Sequence, residues 1–385
     1  MGAFDALSFW HEPDFRGRMG WYREVAADRL PAKYRICAAI PAGVALDAPE
    51  QRLWAALEEG TRDFLALKVH VKENKPLRNE KPEPSLLDLV AELGRRMLAH
   101  CNFCRWDCRV DRSAGGKLGA CKLGAETRVS SAFHHHGEEL VYRGTHGSGT
   151  IFFTSCNMRC AFCQNGDIST DRLNGEPVAA RTLAAIAVQL RLEGCHNVNW
   201  VGGDPTIHLH TILEAIASLP RGFNAPMLWN SNFFQSEEAM RLLRLTMDVW
   251  LPDFKFGPGR CAIGLARTGR YWETVTANLQ KLEDWGEDFT IRHLVMPGHV
   301  ECCTLPVLDW IAGHMPQAPV NIMDQYHPDN YCDPGNDKFM ERYRPLARRP
   351  RREELLAAFR HAKKRGLRFE SLSYERNKTG IRLTA

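Results

Sequence analysis

From Gly149 onward the chain alternates strand-like and helix-like segments. Short apolar, β-prone runs fall at 150–154, 197–201, 226–230, 248–254, 289–295 and 318–323. Helical periodicity reads at about 181–193, 207–218, 236–244, 271–285, 304–314 and 352–365. Such alternation implies a parallel sheet with crossover helices. Six units suit an incomplete barrel better than a closed eight-fold one. The expected fold class is therefore α/β, a partial (β/α)6 TIM-like barrel. Four parts are expected: a mostly helical N-terminal extension over 1–95, a Cys-rich metal-binding module over 96–145, the barrel over 146–345, and a C-terminal helix and tail over 346–385. Ligands in such folds bind at the C-terminal ends of the strands.

The first strand of the series runs straight into a loop carrying Cys156, Cys160 and Cys163. Three thiolates so closely spaced can turn toward one small object. A tetrahedral zinc site would want a fourth protein ligand, and a [4Fe–4S] cubane normally takes four Cys. Three thiolates on a cubane leave one iron open to another ligand. A structural zinc loop or three unrelated buried thiols are the plainer alternatives.

Upstream lie Cys101, Cys104, Cys108 and Cys121, with the glycine-rich Gly115–Ala120 stretch between the last two. Four Cys at this density can fill a metal shell, and the glycines let the loop fold back. Zinc and a second iron–sulfur cluster both fit. The three-residue gap between Cys104 and Cys108 is unlike paired zinc knuckles and leans to iron–sulfur. Arg105, Arg109, Arg112, Lys117 and Lys122 would offset the thiolate charge. His134, His135 and His136 are consecutive, so on an extended chain they cannot easily converge on one ion; a polar loop is expected there.

The other strand ends also carry polar residues. Gly202-Gly203-Asp204-Pro205 follows the second strand, and its glycines allow close backbone approach to a ligand. Asn230-Ser231-Asn232 follows the third. Asp253 and Lys255, two apart on the fourth, share one face. In the barrel interior an unpaired charge is costly, so a structural Asp–Lys pair competes with a ligand role. The fifth strand carries Arg292-His293, and the sixth ends in Asp324-Gln325-Tyr326-His327.

The Cys156–Cys163 spacing, with Phe162 immediately before its last Cys, resembles the radical S-adenosylmethionine (SAM) superfamily. The resemblance implies the radical SAM type of barrel, a [4Fe–4S] cluster on the three thiolates, and SAM chelated to the open iron. An electron from the reduced cluster would cleave SAM to methionine and a 5′-deoxyadenosyl radical, which abstracts hydrogen from a substrate. Gly202–Pro205 resembles the superfamily's glycine-glycine-acid-proline motif beside the SAM amino group. Asp204 stands where Glu is usual, and the contact there is by main chain.

The series from about Ser85 to Leu367 looks like the pyruvate formate-lyase activating enzymes, in particular the PflX-like subgroup. It includes the four-Cys module, Gly147–Thr150, the cluster loop, Leu251–Lys255, Arg292–Gly298 and Val320–Tyr326. Residue by residue, this resemblance implies that Lys255 binds the SAM carboxylate. Asn230, Ser231 and Asp253 would sit beside SAM, with a monovalent cation as a further component. His327 would lie near the adenosine. The implied activity is that of a radical SAM oxidoreductase acting on a protein residue, as glycyl-radical activases do. A small-molecule or peptide substrate is the alternative. An iron–sulfur electron carrier is a third reading, against which Gly202–Pro205 and Lys255 argue. In many activases ferredoxin-like Cys motifs follow the cluster loop, whereas here the extra Cys precede it. The implied partners are an electron donor such as flavodoxin or ferredoxin, and a protein substrate.

Composition excludes little more. A net charge of +4 gives no strong pull toward a polyanion. The basic residues from Arg342 fall largely on an amphipathic helix with acid at its start, so nucleic acid is not an expected partner. No apolar run approaches a membrane span. The N-terminus shows no secretory pattern, and thirteen Cys without one suggest reduced thiols and metal ligands in the cytoplasm. Residues 1–95 are expected to pack on the outside of the core. Ser85 is the expected cap of a helix over 85–99.

Overall fold

Six parallel strands form a curved wall in the computed structural model, which describes residues 15, 17–73, 75, 77 and 82–373. Ahead of the wall come α1 (Gly20–Ala26), α2 (Lys33–Ala38), α3 (Glu50–Lys72) and α4 (Leu86–Arg96). An irregular Cys-bearing stretch leads to β1 (Arg128–His135), α5 (Leu140–Arg143) and β2 (Ser148–Phe153). Then follow α6 (Gly166–Thr170), β3 (Glu176–Pro177), α7 (Ala180–Leu192), β4 (Val198–Gly202), α8 (Leu209–Ala217) and β5 (Met227–Ser231). Next are α9 (Glu237–Arg244), β6 (Val249–Pro252), α10 (Cys261–Ala266), α11 (Tyr271–Asp284) and β7 (Ile291–Leu294). Last come α12 (Leu305–His314), β8 (Val320–Met323), α13 (Arg352–Lys364) and α14 (Glu370–Ser373).

The parallel order is β2-β4-β5-β6, then β7-β8. The two parts join at a seam where Trp250 bridges Phe289 and Asp253 bridges Arg292. This is the partial six-unit barrel that the alternation predicts. Trp200, Trp229 and Trp250 stand in register on neighbouring strands, fully buried. Side chains alternate along a strand, so Asn199 and Asn230 turn to the opposite, inner face. The three indoles face the helical layer, and the polar residues face the barrel interior.

Two features differ from expectation. The His stretch is not a loop: His134 and His135 end β1, which runs antiparallel to β2 and covers its outer edge. The strand is hard to read because it is a half-exposed edge mixing Ser, Phe and His. His134 is held by Glu193 at 2.7 Å and by the His146 carbonyl at 2.8 Å. The N-terminal extension, in turn, does not pack only outside. Tyr22 of α1 lies fully buried with Tyr142, Leu228, Val249 and Leu251, plugging the N-terminal end of the barrel. Trp21 donates to Asp248 at 2.8 Å, and the Tyr22 amide donates to Asp288 at 2.8 Å. Lys33, also fully buried, pairs with Glu287. Residues 1–14 and 374–385, within the expected extension and tail, lie outside the described residues.

α3 and α4 do lie on the outside. Ser85 caps α4 as predicted, in a capping box closed by Asp88. Gly60 lets α3 approach Leu86 of α4, and Gly94 lets α4 approach Leu213 of α8.

Candidate active site

The loop after β2 is held from several sides. Ser155 adopts a left-handed φ of 67° that turns the chain out of the strand. Its amide donates to Ile168 and its hydroxyl to the Cys121 carbonyl. The amides of Arg159 and Ala161, flanking Cys160, donate to Ala266 and Leu265 at the end of α10. Phe162 packs between Phe256 and Tyr326. The Cys156 sulfur accepts from the Met158 amide at 3.3 Å and from Asn232 at 3.5 Å. The Cys163 sulfur accepts from Ser169 at 3.3 Å. Burial pushes all three thiols up, Cys160 to about 12, while Lys255 pulls Cys160 and Cys163 partly back. A cation bound here must displace the thiol protons, so binding releases them.

The three Cys line a cavity of about 220 Å³ at the C-terminal ends of the strands. Gly202, Gly203, Asp204, Asn230, Ser231, Asp253 and Lys255 line the same cavity. The three loop Cys and most of the strand-end residues named from sequence therefore meet in one place, apart from the four-Cys module. Pro205 and His327 do not line it; Pro205 is buried, opening the helical turn Pro205–His208, and His327 sits half-buried outside.

The two glycines after β4 make room for backbone. A β-carbon on Gly203 would lie 1.8 Å from the Ser155 carbonyl oxygen, and one on Gly202 would lie 2.1 Å from the Phe153 amide nitrogen. Gly203 thus presses against the start of the Cys loop, and Gly202 against the end of β2. The Gly203 amide donates to Phe153 and the Asp204 amide to Ser155, welding the turn to the loop. The Asp204 carboxylate is fully engaged, accepting from the amides of Thr206 and Asn232, each at 2.9 Å. Burial raises this carboxyl, and those two amides partly offset it.

Lys255 and Asp253 share the inner face as predicted, and they touch at 2.5 Å. Asp253 has a second cation: Arg292 on β7 lies 2.9 Å from its other oxygen. Burial alone would raise the Asp253 carboxyl, but the two cations hold it below the usual range. Arg292 also reaches Glu138 at 3.4 Å and Asn230. Glu138 in turn accepts from Asn199 at 3.0 Å and Asn230 at 3.2 Å. Glu138, Arg292 and Asn232 are the site residues that sequence reasoning did not assign. Arg292 and Asn232 lay in motifs already noted at strand ends. Glu138 gave no signal, because a Glu pair after three His reads as a polar turn.

The four-Cys module packs against this loop. Trp106 donates to the Asn157 carbonyl at 2.7 Å, and Arg159 donates to the Ala120 carbonyl at 2.8 Å. Burial is the main cause that raises the Cys104 thiol, and Cys101, Cys121 and Cys108 add to it. Arg112 is buried beside Cys101, whereas Arg109 is exposed and pairs with Asp107. The four sulfurs do not converge tightly. Among the described residues, one group of His, Cys, Asp or Glu has three or more donor atoms within 4.8 Å of one another, and it is a different one: Cys261, His299, Cys302 and Cys303.

Residues 150–311 match the model of the family described as the radical SAM superfamily. Over 319 residues the chain is 35% identical to the uncharacterized protein MJ0674 of Methanocaldococcus jannaschii, a match spanning 81% of this chain and 89% of that one. The chain belongs to the radical SAM superfamily. Among solved structures it resembles Streptococcus suis SuiB bound to S-adenosylmethionine, with 13% identity, a TM-score of 0.42, and coverage of 56% of this chain and 48% of that one. It also resembles a domain of a pyruvate-formate lyase-activating enzyme from Bacteroides vulgatus, with 14% identity, a TM-score of 0.34, and coverage of 45% and 96%. The chain thus spans about half the length of the SuiB chain. Among the described residues, no helix is long and apolar enough to cross a membrane.

Proposed function

We propose that this protein binds a [4Fe–4S] cluster through Cys156, Cys160 and Cys163 and cleaves SAM reductively. The observation that carries the reading is that these three Cys line one cavity with Lys255, Asp253, Asn230, Ser231 and the Gly202–Asp204 turn. The donor set fits the group: three soft thiolates on one loop, with no fourth Cys among the cavity-lining residues. When bound, the cluster supplies one electron to the SAM sulfonium, giving methionine and a 5′-deoxyadenosyl radical.

The chain's own residues bind and orient. Lys255, kept protonated chiefly by Asp253 against the pull of burial, offers an ammonium to the SAM carboxylate. Asn230 and Ser231 supply polar contacts beside it, and a monovalent cation would be held there too. The main chain of Gly202–Asp204 faces the SAM amino group. Phe162, packed on Phe256 and Tyr326, keeps water from the loop's inner side. The order of motifs favours hydrogen abstraction from a residue of a protein partner, in the manner of pyruvate formate-lyase activases, with a flavodoxin or ferredoxin as electron donor.

Anaerobic reconstitution followed by dithionite and SAM tests the chemistry, with 5′-deoxyadenosine as the readout. Product is expected from the parent and should be absent from Cys160→Ala; product that survives this substitution refutes the assignment.

A further inference from the structure

We propose that Cys261, His299, Cys302 and Cys303 bind a single zinc ion, at a site separate from both the cavity and the Cys101–Cys121 module. The four donor atoms lie within 4.8 Å of one another. His299 Nδ1 is 3.5 Å from the Cys261 sulfur and 3.3 Å from that of Cys302. The Cys302 sulfur is 3.6 Å from that of Cys261 and 4.0 Å from that of Cys303. Zinc–sulfur bonds near 2.3 Å and zinc–nitrogen bonds near 2.0–2.1 Å, at tetrahedral angles, place S and N donors about 3.6 Å apart and two sulfurs about 3.8 Å apart. The two S–S edges, 3.6 and 4.0 Å, bracket the ideal sulfur spacing, and the two S–N edges, 3.5 and 3.3 Å, fall slightly inside the ideal one. An iron–sulfur cluster of several metals spreads its thiolates more widely than this, so a mononuclear ion is the fit. Tetrahedral coordination by three sulfurs and one nitrogen selects zinc among the common divalent ions.

The local backbone serves this convergence. His299 precedes a π-helical turn, Val300–Thr304, whose Thr304 amide reaches back to the His299 carbonyl. Such turns are rare and recur at functional positions. Here the turn lets the neighbouring Cys302 and Cys303 both join His299. Gly257 has no side chain to hold the turn away: a β-carbon there would lie 2.0 Å from the Cys302 carbonyl oxygen. None of the four donor residues lines the cavity.

The ion would act as a clasp. Cys261 begins α10, whose last carbonyls hold the amides on either side of Cys160. The other three donors precede α12. Zinc would fix α10 to α12 and so steady the backbone partner of the candidate cluster loop. The coordination itself does not depend on radical chemistry.

The full-length chain, isolated anaerobically, is assayed for zinc and iron per chain beside Cys302→Ser and Cys261→Ser/Cys302→Ser. Cys302 is exposed, so the single variant is chosen to keep its fold, checked by circular dichroism. Zinc is expected to fall by about one ion per chain in the double variant, with iron unchanged. Cobalt introduced in place of zinc should give thiolate-to-metal absorption bands in the parent, weakened in the single variant. Zinc content equal in all three proteins overturns the proposal. So does loss of iron instead of zinc, or a Cys261–Cys302 disulfide in the anaerobic parent.

Discussion

Arg292 on β7 donates its Nε proton to Asp253 Oδ1, 2.9 Å away across the seam where β6 meets β7. Lys255 holds the other carboxylate oxygen. Asp253 therefore keeps a cation if Lys255 is lost, and the buried carboxylate is not stranded.

That redundancy separates a ligand role of Lys255 from a structural one. A charge-assisted hydrogen bond to the SAM carboxylate is worth about 1.5–3 kcal/mol. Lys255→Met should therefore weaken SAM binding by about ten- to a hundred-fold. Iron content and melting temperature should match the parent. Equilibrium binding of SAM to the reconstituted variant, with a thermal melt alongside, checks it. A variant that binds SAM like the parent but melts markedly lower would assign Lys255 to the fold.

Gly203 gives a second test. No side chain fits between it and the Ser155 carbonyl, so Gly203→Ala must push the turn away from the cluster loop. Forced rearrangement of packed backbone costs at least about 1–3 kcal/mol. The expected result is a lower melting temperature together with less iron retained per chain after reconstitution. Normal iron and stability in the variant would show that the loop and turn separate freely.

How far the sequence discloses this site follows from where the signals are local. Strand ends are legible because a buried apolar run stops abruptly at polar or glycine residues, as at Gly202, Asn230 and Asp253. Ser85 is legible because a cap acts within one turn. Glu138 is not: it becomes part of the site only when the chain before β2 folds under Arg292. Tyr22 reads as one of many irregular aromatics until the barrel floor closes on it. Cys261 and His299 lie 38 residues apart, so only the packing of α10 beside α12 brings them together.

The four-Cys module should hold its own metal. Cys101, Cys104, Cys108 and Cys121 supply enough thiols on one short stretch to fill a metal shell. Metal analysis of the Cys156/Cys160/Cys163→Ala protein decides it, with Cys261→Ser/Cys302→Ser added to remove the zinc proposed above. Retained iron identifies a second cluster, retained zinc a structural ion, and a metal-free protein rejects the site.

Glu354 supplies a pH-dependent contact. It accepts from Arg348 at 2.7 and 2.9 Å, and from the amides of Arg351 and Gly298, each at 2.6 Å. Arg348 is the largest cause, and the carboxyl is held down at about 2 from an ordinary 4.5. A carboxyl depressed on folding stabilises the native state above its unfolded value, and that stabilisation is lost as pH falls from about 4.5 toward 2. The side chain is largely shielded, at 17% exposure, and the shift corresponds to about 2–3 kcal/mol. Glu354→Gln should lower the thermal midpoint most at pH 7, with a gap to the parent that narrows at pH 4. A gap independent of pH would mean that the charge contributes nothing.

Lys33 and Glu287 test whether the N-terminal extension belongs to the barrel. The pair is buried on both sides, and Lys33 also donates to the Arg244 carbonyl at 3.3 Å. Trp250 donates to Glu287 at 3.4 Å. Removing one member leaves the other charged and buried, which costs about 3–5 kcal/mol. Lys33→Met alone should therefore be strongly destabilising. Replacing both members with apolar side chains removes the stranded charge, so Lys33→Met/Glu287→Leu should recover much of the loss. Chemical denaturation of the four proteins in the cycle measures the coupling. If the single and double variants unfold at the same denaturant concentration as the parent, α2 is a passive appendage and the barrel floor stands without it.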